Sequence, residues 1–192
     1  MGFLSLQSPL ELSVTAVVIF SIFTFVIDDF TRFGFHAITH ISPWLWQLHK
    51  VHHSATTLTP FTLYRVHPIE VGISLLRQLI VNSIFVGLFV ALFGTSYAVY
   101  TLFGISALHF AADFLGGTLR HSHIPISFGK FEYFFMSPKQ HQIHHSMHPD
   151  HINKNYGDAL AVWDLIFKTH FASRAAPSPL KFGLAEQKSV SL

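Results

Sequence analysis

The chain has 192 residues, half of them hydrophobic and 11% charged, with a formal net charge of +2 and a mean hydropathy of +0.42. Soluble domains carry about 25% charged residues, so this composition points to a membrane protein, and the length suits one domain. The absence of cysteine excludes disulfides, thiolate zinc sites and cysteine-ligated iron–sulfur clusters, and without a basic run there is no footing for nucleic-acid binding.

The first 31 residues contain no Lys or Arg. A secretory signal would carry a positive n-region and a small-residue cleavage site. Here Leu12–Ile27 runs straight into "DDFTRF", which predicts a retained transmembrane helix over Pro9–Ile27, close to the ~20 apolar residues that a span requires. "HAITH" follows at 36–40. Ser42-Pro43 reads as a helix N-cap with proline at the first helical position, opening "WLWQLHKVHH". From Leu79 to Ala112 there is no Lys, Arg, Asp or Glu. At 1.5 Å per residue that run overshoots a hydrocarbon core of about 30 Å. "FGTS" at 93–96 offers a break, so a hairpin is expected over 70–93 and 97–115. Ser137-Pro138 opens a further helix, "KQHQIHH", and 172–192 lose periodicity and read as a loosely ordered tail behind a single domain, 1–171.

One span followed by a hairpin puts the histidine-rich stretches 36–67 and 121–151 on the same face of the bilayer. All 12 basic residues follow residue 31, so by the positive-inside rule that face is cytoplasmic. The expected fold is all-α: an integral membrane protein with about three transmembrane helices and a cytoplasmic helical cap.

Histidine is over-represented, 15 residues against 12 Lys and Arg. "HKVHHS" and "HQIHHS" place His49, His52 and His53, and then His141, His144 and His145, at i, i+3 and i+4 of a helix, on one face. "HAITH" stacks His36 over His40. Burying eight imidazoles without partners is costly, and neutral imidazole is a common ligand for transition metals. A structural zinc closes with four ligands, so eight converging histidines point to two metals. A zinc-binding or metal-transport protein is the competing reading. A transporter would place ligands near the bilayer midplane in broken helices, whereas these words lie in polar-flanked segments.

The pattern resembles the histidine boxes of the fatty acid hydroxylase/sterol desaturase superfamily of membrane di-iron oxygenases. "SPWLWQLHKVHHS", "YRVHPIE" (64–70), "SPKQHQIHHS" and "NYGDALAVWDLIFKT" (155–169) are similar to its motifs, over about Asp28 to Thr169. The resemblance implies two iron ions, with zinc able to take their place in purified protein. It implies an O2-dependent oxidoreductase that hydroxylates or desaturates an unactivated C–H bond of a lipid, with carotenoid hydroxylases as near neighbours. Electrons would come from a separate cytochrome b5, ferredoxin or reductase, because the chain has no dinucleotide fingerprint or haem signature. It also implies that His121 of "RHSHI" is a ligand, ahead of His123; His67, before Pro68, is open to ligation or to a supporting or structural role. No side chain is assigned a catalytic role beyond ligation. Asp29, Asp113 and Asp158 are candidates to hold the outer ring nitrogens of the histidines. Three departures stand out: Ala37 and Lys168 where the family usually has Arg and Gly, and one N-terminal span where most members have more. The short N-terminus keeps a truncated, catalytically silent relative as an alternative. His148 and His151 are expected to be solvated, Asn155-Tyr156-Gly157 to form a turn, and Trp163-Asp164 to be an interfacial anchor.

Overall fold

The computed structural model describes residues 13–93, 107, 110–176 and 179–184. Among these the fold is all-helical and has no β-strand; isolated backbone bridges join Phe135 to Leu160 and Ser146 to Phe182.

Helix α1 runs over Val14–Ile41, 28 residues or about 42 Å, and Ser13 Oγ caps it by accepting from the Ala16 amide at 3.1 Å. It does not break at Asp28-Asp29, where the sequence suggests that the span gives way to the box. Both carboxylates are buried and partnered inside the protein. Asp28 meets Arg32 at 2.8 Å and Arg77 at 2.7 Å. Asp29 accepts from the Ala159 and Leu160 amides and the Trp163 indole. Ser42, extended at φ −79° and ψ 120°, ends α1 and opens α2 (Pro43–His53) with proline in the first turn, as its sequence predicts.

Helix α3 is Pro68–Phe93. The turn at 94–96, most of the predicted helix over 97–115, and His109 lie outside the described residues. The chain resumes as a π-helical stretch, Ala112–Gly117, that continues into Thr118–Arg120. Phe20 and Phe23 near the start of α1 pack on Phe85 and Phe89 near the end of α3, so the two helices run antiparallel. The end of α1 and the start of α3 therefore come together, and there the site forms. Both helices are long and apolar enough to cross a membrane, with only 28% and 17% of their most apolar windows buried. Helices in a soluble core would hide those faces; these present them outward, which suits lipid.

The remaining segments close over the joined ends. Helix α4 (Pro138–His144) begins with a capping box: Ser137 Oγ accepts from the Gln140 amide at 3.1 Å, and Gln140 Oε1 accepts from the Ser137 amide at 3.0 Å. Glu132 gathers the surrounding loops by accepting from the Ser127 and Ser137 hydroxyls and the Ser173 amide. Asp164, in the short helix α5 (Val162–Ile166), is fully buried and accepts from the Tyr156 and Gly157 amides at 2.8 Å each. It is a core turn-holder and not an interfacial anchor, because its carboxylate satisfies two amides that no helix or strand pairs. A side chain at Gly157 would lie 2.6 Å from the Leu160 carbonyl and 2.9 Å from Asp164 Oδ2, so only glycine fits.

Candidate metal centre

Four elements deliver histidines to one place. The last turns of α1 carry His36 and His40, α2 carries His49, His52 and His53, the end of the 112–120 segment carries His121, and α4 with its C-terminal cap carries His141, His144 and His145. All nine histidines singled out from the sequence come together, in two groups. His36, His40, His49, His53 and His144 form one; His52, His121, His141 and His145 form the other. Within each group the ring nitrogens lie within 4.8 Å of one another.

Helix geometry explains the division. Residues i and i+4 point about 40° apart around a helix axis, while i+3 lies about 60° to the other side. The pairs His36/His40, His49/His53 and His141/His145 each stay in one group, and the i+3 residues His52 and His144 each cross to the other. "HKVHH" and "HQIHH" thus straddle the seam between the groups, while "HAITH" lies wholly on one side.

Hydrogen bonds set the rings. His36 Nδ1 donates to the Tyr156 carbonyl at 2.8 Å, His121 Nδ1 to the Gly117 carbonyl at 2.8 Å, and His144 Nδ1 to the Lys154 carbonyl at 2.8 Å. His49 Nδ1 donates to the Glu70 carboxylate at 2.7 Å. With Nδ1 protonated in a neutral ring, Nε2 is left bare. In the first group Nε2 of His40, His49, His53 and His144 is buried without a hydrogen-bond partner. In the second group Nε2 of His52 lies 3.1 Å from Nε2 of His121, which lies 3.0 Å from Nε2 of His141, itself 3.1 Å from Nε2 of His145. Two imidazoles at right angles around one ion, with metal–nitrogen bonds of about 2.1 Å, put their nitrogens about 3.0 Å apart. Burial, and then repulsion from neighbouring rings, pushes His52, His53, His141, His144 and His145 well below their ordinary value. Burial lowers His121 to about 4. These six rings are therefore neutral near pH 7, the form that binds metal. Orphaned nitrogens, neutral rings and ligand-like spacing all fit a metal ion in each group.

Other expectations fare differently. Asp29, Asp113 and Asp158 do not orient the histidines. Asp113 and Asp158 pair with Arg32 at 2.9 and 3.2 Å, and Asp158 also meets Arg120 at 2.6 Å. Glu70, inside "YRVHPIE", is the one carboxylate among the described residues that reaches a histidine of the two groups. His67 accepts from the Ile69 amide and His123 is exposed, both outside the groups. His151 is 1% exposed, not solvated, because its ring packs between Phe171 and His148.

Two cavities reach the histidines. One, of about 380 Å³, is lined by His36, His49 and His52 together with Glu70, Ser74 and Gln78 of α3. The other, of about 350 Å³, is lined by His40, His53, Trp46 and Lys50, with Gly183 and Leu184 of the C-terminal segment.

An all-helical chain with two membrane-length helices and two histidine groups at their joined ends is the class that this geometry defines. The profile of the fatty acid hydroxylase family matches residues 21–169, and the chain belongs to that family. Among curated proteins it is similar to an alkylglycerol monooxygenase from Caenorhabditis elegans, 26% identical over 88% of this chain and 30% of that protein. It is likewise similar to the ornithine lipid hydroxylase OlsE from Rhizobium tropici, 28% identical over 83% of this chain and 44% of that protein. The human alkylglycerol monooxygenase is 25% identical over 73% of this chain and 28% of its own length. The chain thus spans less than half the length of these relatives. No solved structure matches it.

Proposed function

We propose that the chain is a membrane O2-dependent oxidoreductase that holds two iron ions and hydroxylates an unactivated C–H bond of a lipid. The observation that carries this is the convergence of nine histidines, eight of them from the three box words, into two buried or half-buried groups of metal-binding spacing. One ion is assigned to His36, His40, His49, His53 and His144, the other to His52, His121, His141 and His145. Bound there, iron supplies the activation of O2 that breaking such a C–H bond demands, with electrons from a separate donor of the cytochrome b5, ferredoxin or reductase class.

The chain's own residues do the rest. Glu70 and the carbonyls of Tyr156, Gly117 and Lys154 fix ring orientation, so the Nε2 atoms face inward. The histidines act as ligands, not as general bases. The 380 Å³ cavity opens along α3 and admits a lipid chain from the bilayer. The names of the relatives, a monooxygenase and a hydroxylase, favour insertion of oxygen over desaturation. About three membrane spans, a histidine cap on the cytoplasmic face, and a single domain over 1–171 belong to the same proposal.

The test is metal content per chain after purification under iron-replete, reducing conditions, with Mössbauer spectra of an iron-57 sample before and after O2. Two irons that convert to a coupled diferric state, with one lost in His53→Ala and the other in His145→Ala, are expected. One metal or none, or zinc that iron cannot replace, would overturn the proposal.

A further inference from the structure

Polar side chains recur at every fourth position of α3, from the site into its apolar length: Glu70, Ser74, Gln78 and Asn82. Residues four apart follow one slowly turning stripe. His49 accounts for Glu70. Ser74 and Gln78 line the 380 Å³ cavity, and among the described residues neither side chain has a hydrogen-bond partner. One turn further, Asn82 Oδ1 is buried and unpaired. Polar side chains are expensive at such positions and are found facing a cavity or a partner.

The charges beside this stripe are already matched. Arg32 meets Asp28, Asp113 and Asp158, while Arg77 meets Asp28 and the Thr31 hydroxyl. An anionic group entering the cavity would find no unneutralised arginine along this stripe. The unused hydrogen-bonding capacity lies in neutral groups, Gln78 above all, whose amide both donates and accepts. Apolar side chains such as Leu63, Val66 and Leu75 complete the walls.

We infer that Gln78, with Ser74, forms a subsite for a neutral polar linkage of the lipid, an ether, ester or amide group or a hydroxyl, and so sets which carbon is presented to the histidine groups. This rests on the lipid-oxygenase reading of the same cavity. Gln78 lies about 12 Å further along the helix axis than Glu70, so the linkage is held away from the histidines and the reacting carbon lies down the chain from it. Gln78 is a positioning residue: it holds substrate by a group that does not react.

The experiment measures equilibrium binding of a labelled alkyl ether of glycerol, the matching monoacyl ester and the alkane of equal chain length. It uses the full chain, metal-free, in nanodiscs. The wild type is expected to prefer the ether and ester over the alkane. Gln78→Met is expected to weaken binding of both by about three- to tenfold, the loss of one hydrogen bond, and to leave alkane binding unchanged, while Ser74→Ala shows a smaller loss of the same kind. Equal affinity of the wild type for all three ligands would overturn the subsite. So would an equal loss for all three in a Gln78→Met protein that keeps its melting temperature. Should Gln78→Met misfold, the wild-type preference and Ser74→Ala decide. No iron or turnover enters the measurement. Absent preference in a protein that holds two O2-reactive irons sinks the subsite alone, and clear preference in a protein that binds no iron sinks the oxygenase reading alone.

Discussion

Glu70 stands 21 residues from His49 and takes the proton side of its ring at 2.7 Å. Outer partners of this kind set the ring angle and raise the basicity of the ligand, and their loss typically costs 10–100-fold in metal affinity. Glu70→Ala is therefore expected to weaken metal binding in the five-histidine group by about 10–100-fold, read by competition against a chelator of known affinity. Glu70→Gln, whose amide oxygen still accepts, is expected to retain most of it; equal, unchanged affinity in both variants would contradict the role. Sequence reasoning looked instead to Asp29, Asp113 and Asp158, because they lie near the boxes in the chain. Proximity along a helix does not say which way a carboxylate points, and Asp29 faces the 159–163 segment. The other three ring partners are backbone carbonyls, which any residue supplies, so no sequence signal could have marked them.

At the scale of elements, local chemistry was well written. Ser42-Pro43 and Ser137-Pro138 each open a helix with a serine cap and proline in the first turn, as they read. The continuity of α1 was not legible. Whether Asp28-Asp29 ends a span depends on partners at positions 77 and 159–163, far along the chain. The glycine usual in the family where this chain has Lys168 has a local explanation: the φ at 168 is +61°, in the left-handed region where glycine meets no Cβ penalty. A non-glycine residue there costs about 1–2 kcal/mol, partly offset by the lower entropy of its unfolded chain. Lys168→Gly is expected to raise the unfolding midpoint by about 2–4 °C, the effect of about 1 kcal/mol in a chain of this size, with metal content unchanged. A lowered midpoint in a thermal scan would show that the lysine side chain contributes more than its backbone costs.

For the whole molecule, the charge balance of folding turns on the buried histidines. The folded values of His52, His53, His141, His144 and His145 lie well below 6.5, and that of His121 is about 4. Below pH 6.5 the unfolded chain takes up protons that the folded chain refuses, so stability is full above that pH and falls as the pH drops. Each such group contributes a slope of about 1.4 kcal/mol per pH unit until its folded form titrates. Denaturant titrations of the metal-free protein are expected to show a steep loss of stability between pH 6.5 and about 4. Metal binding is expected to move the loss to lower pH, since bound nitrogens resist protonation. A flat profile across that window would mean that the rings are hydrated and already protonated in the folded state.

The sequence by itself determined the helical class, the membrane-length apolar helices and eight of the nine histidines, because periodicity, caps and i, i+4 spacing are properties of a few consecutive residues; His121 was marked only by the resemblance to the family. Only the tertiary structure decided how those histidines divide. His52 and His53 are neighbours in the chain yet belong to different groups, as do His144 and His145. Adjacent helical residues point about 100° apart, and which of two directions meets a ligand partner depends on where α1, α2, α4 and the 112–120 segment lie around them. The same holds for Glu70 and the three carbonyls: their roles follow from how distant segments are packed, which no short stretch of sequence encodes.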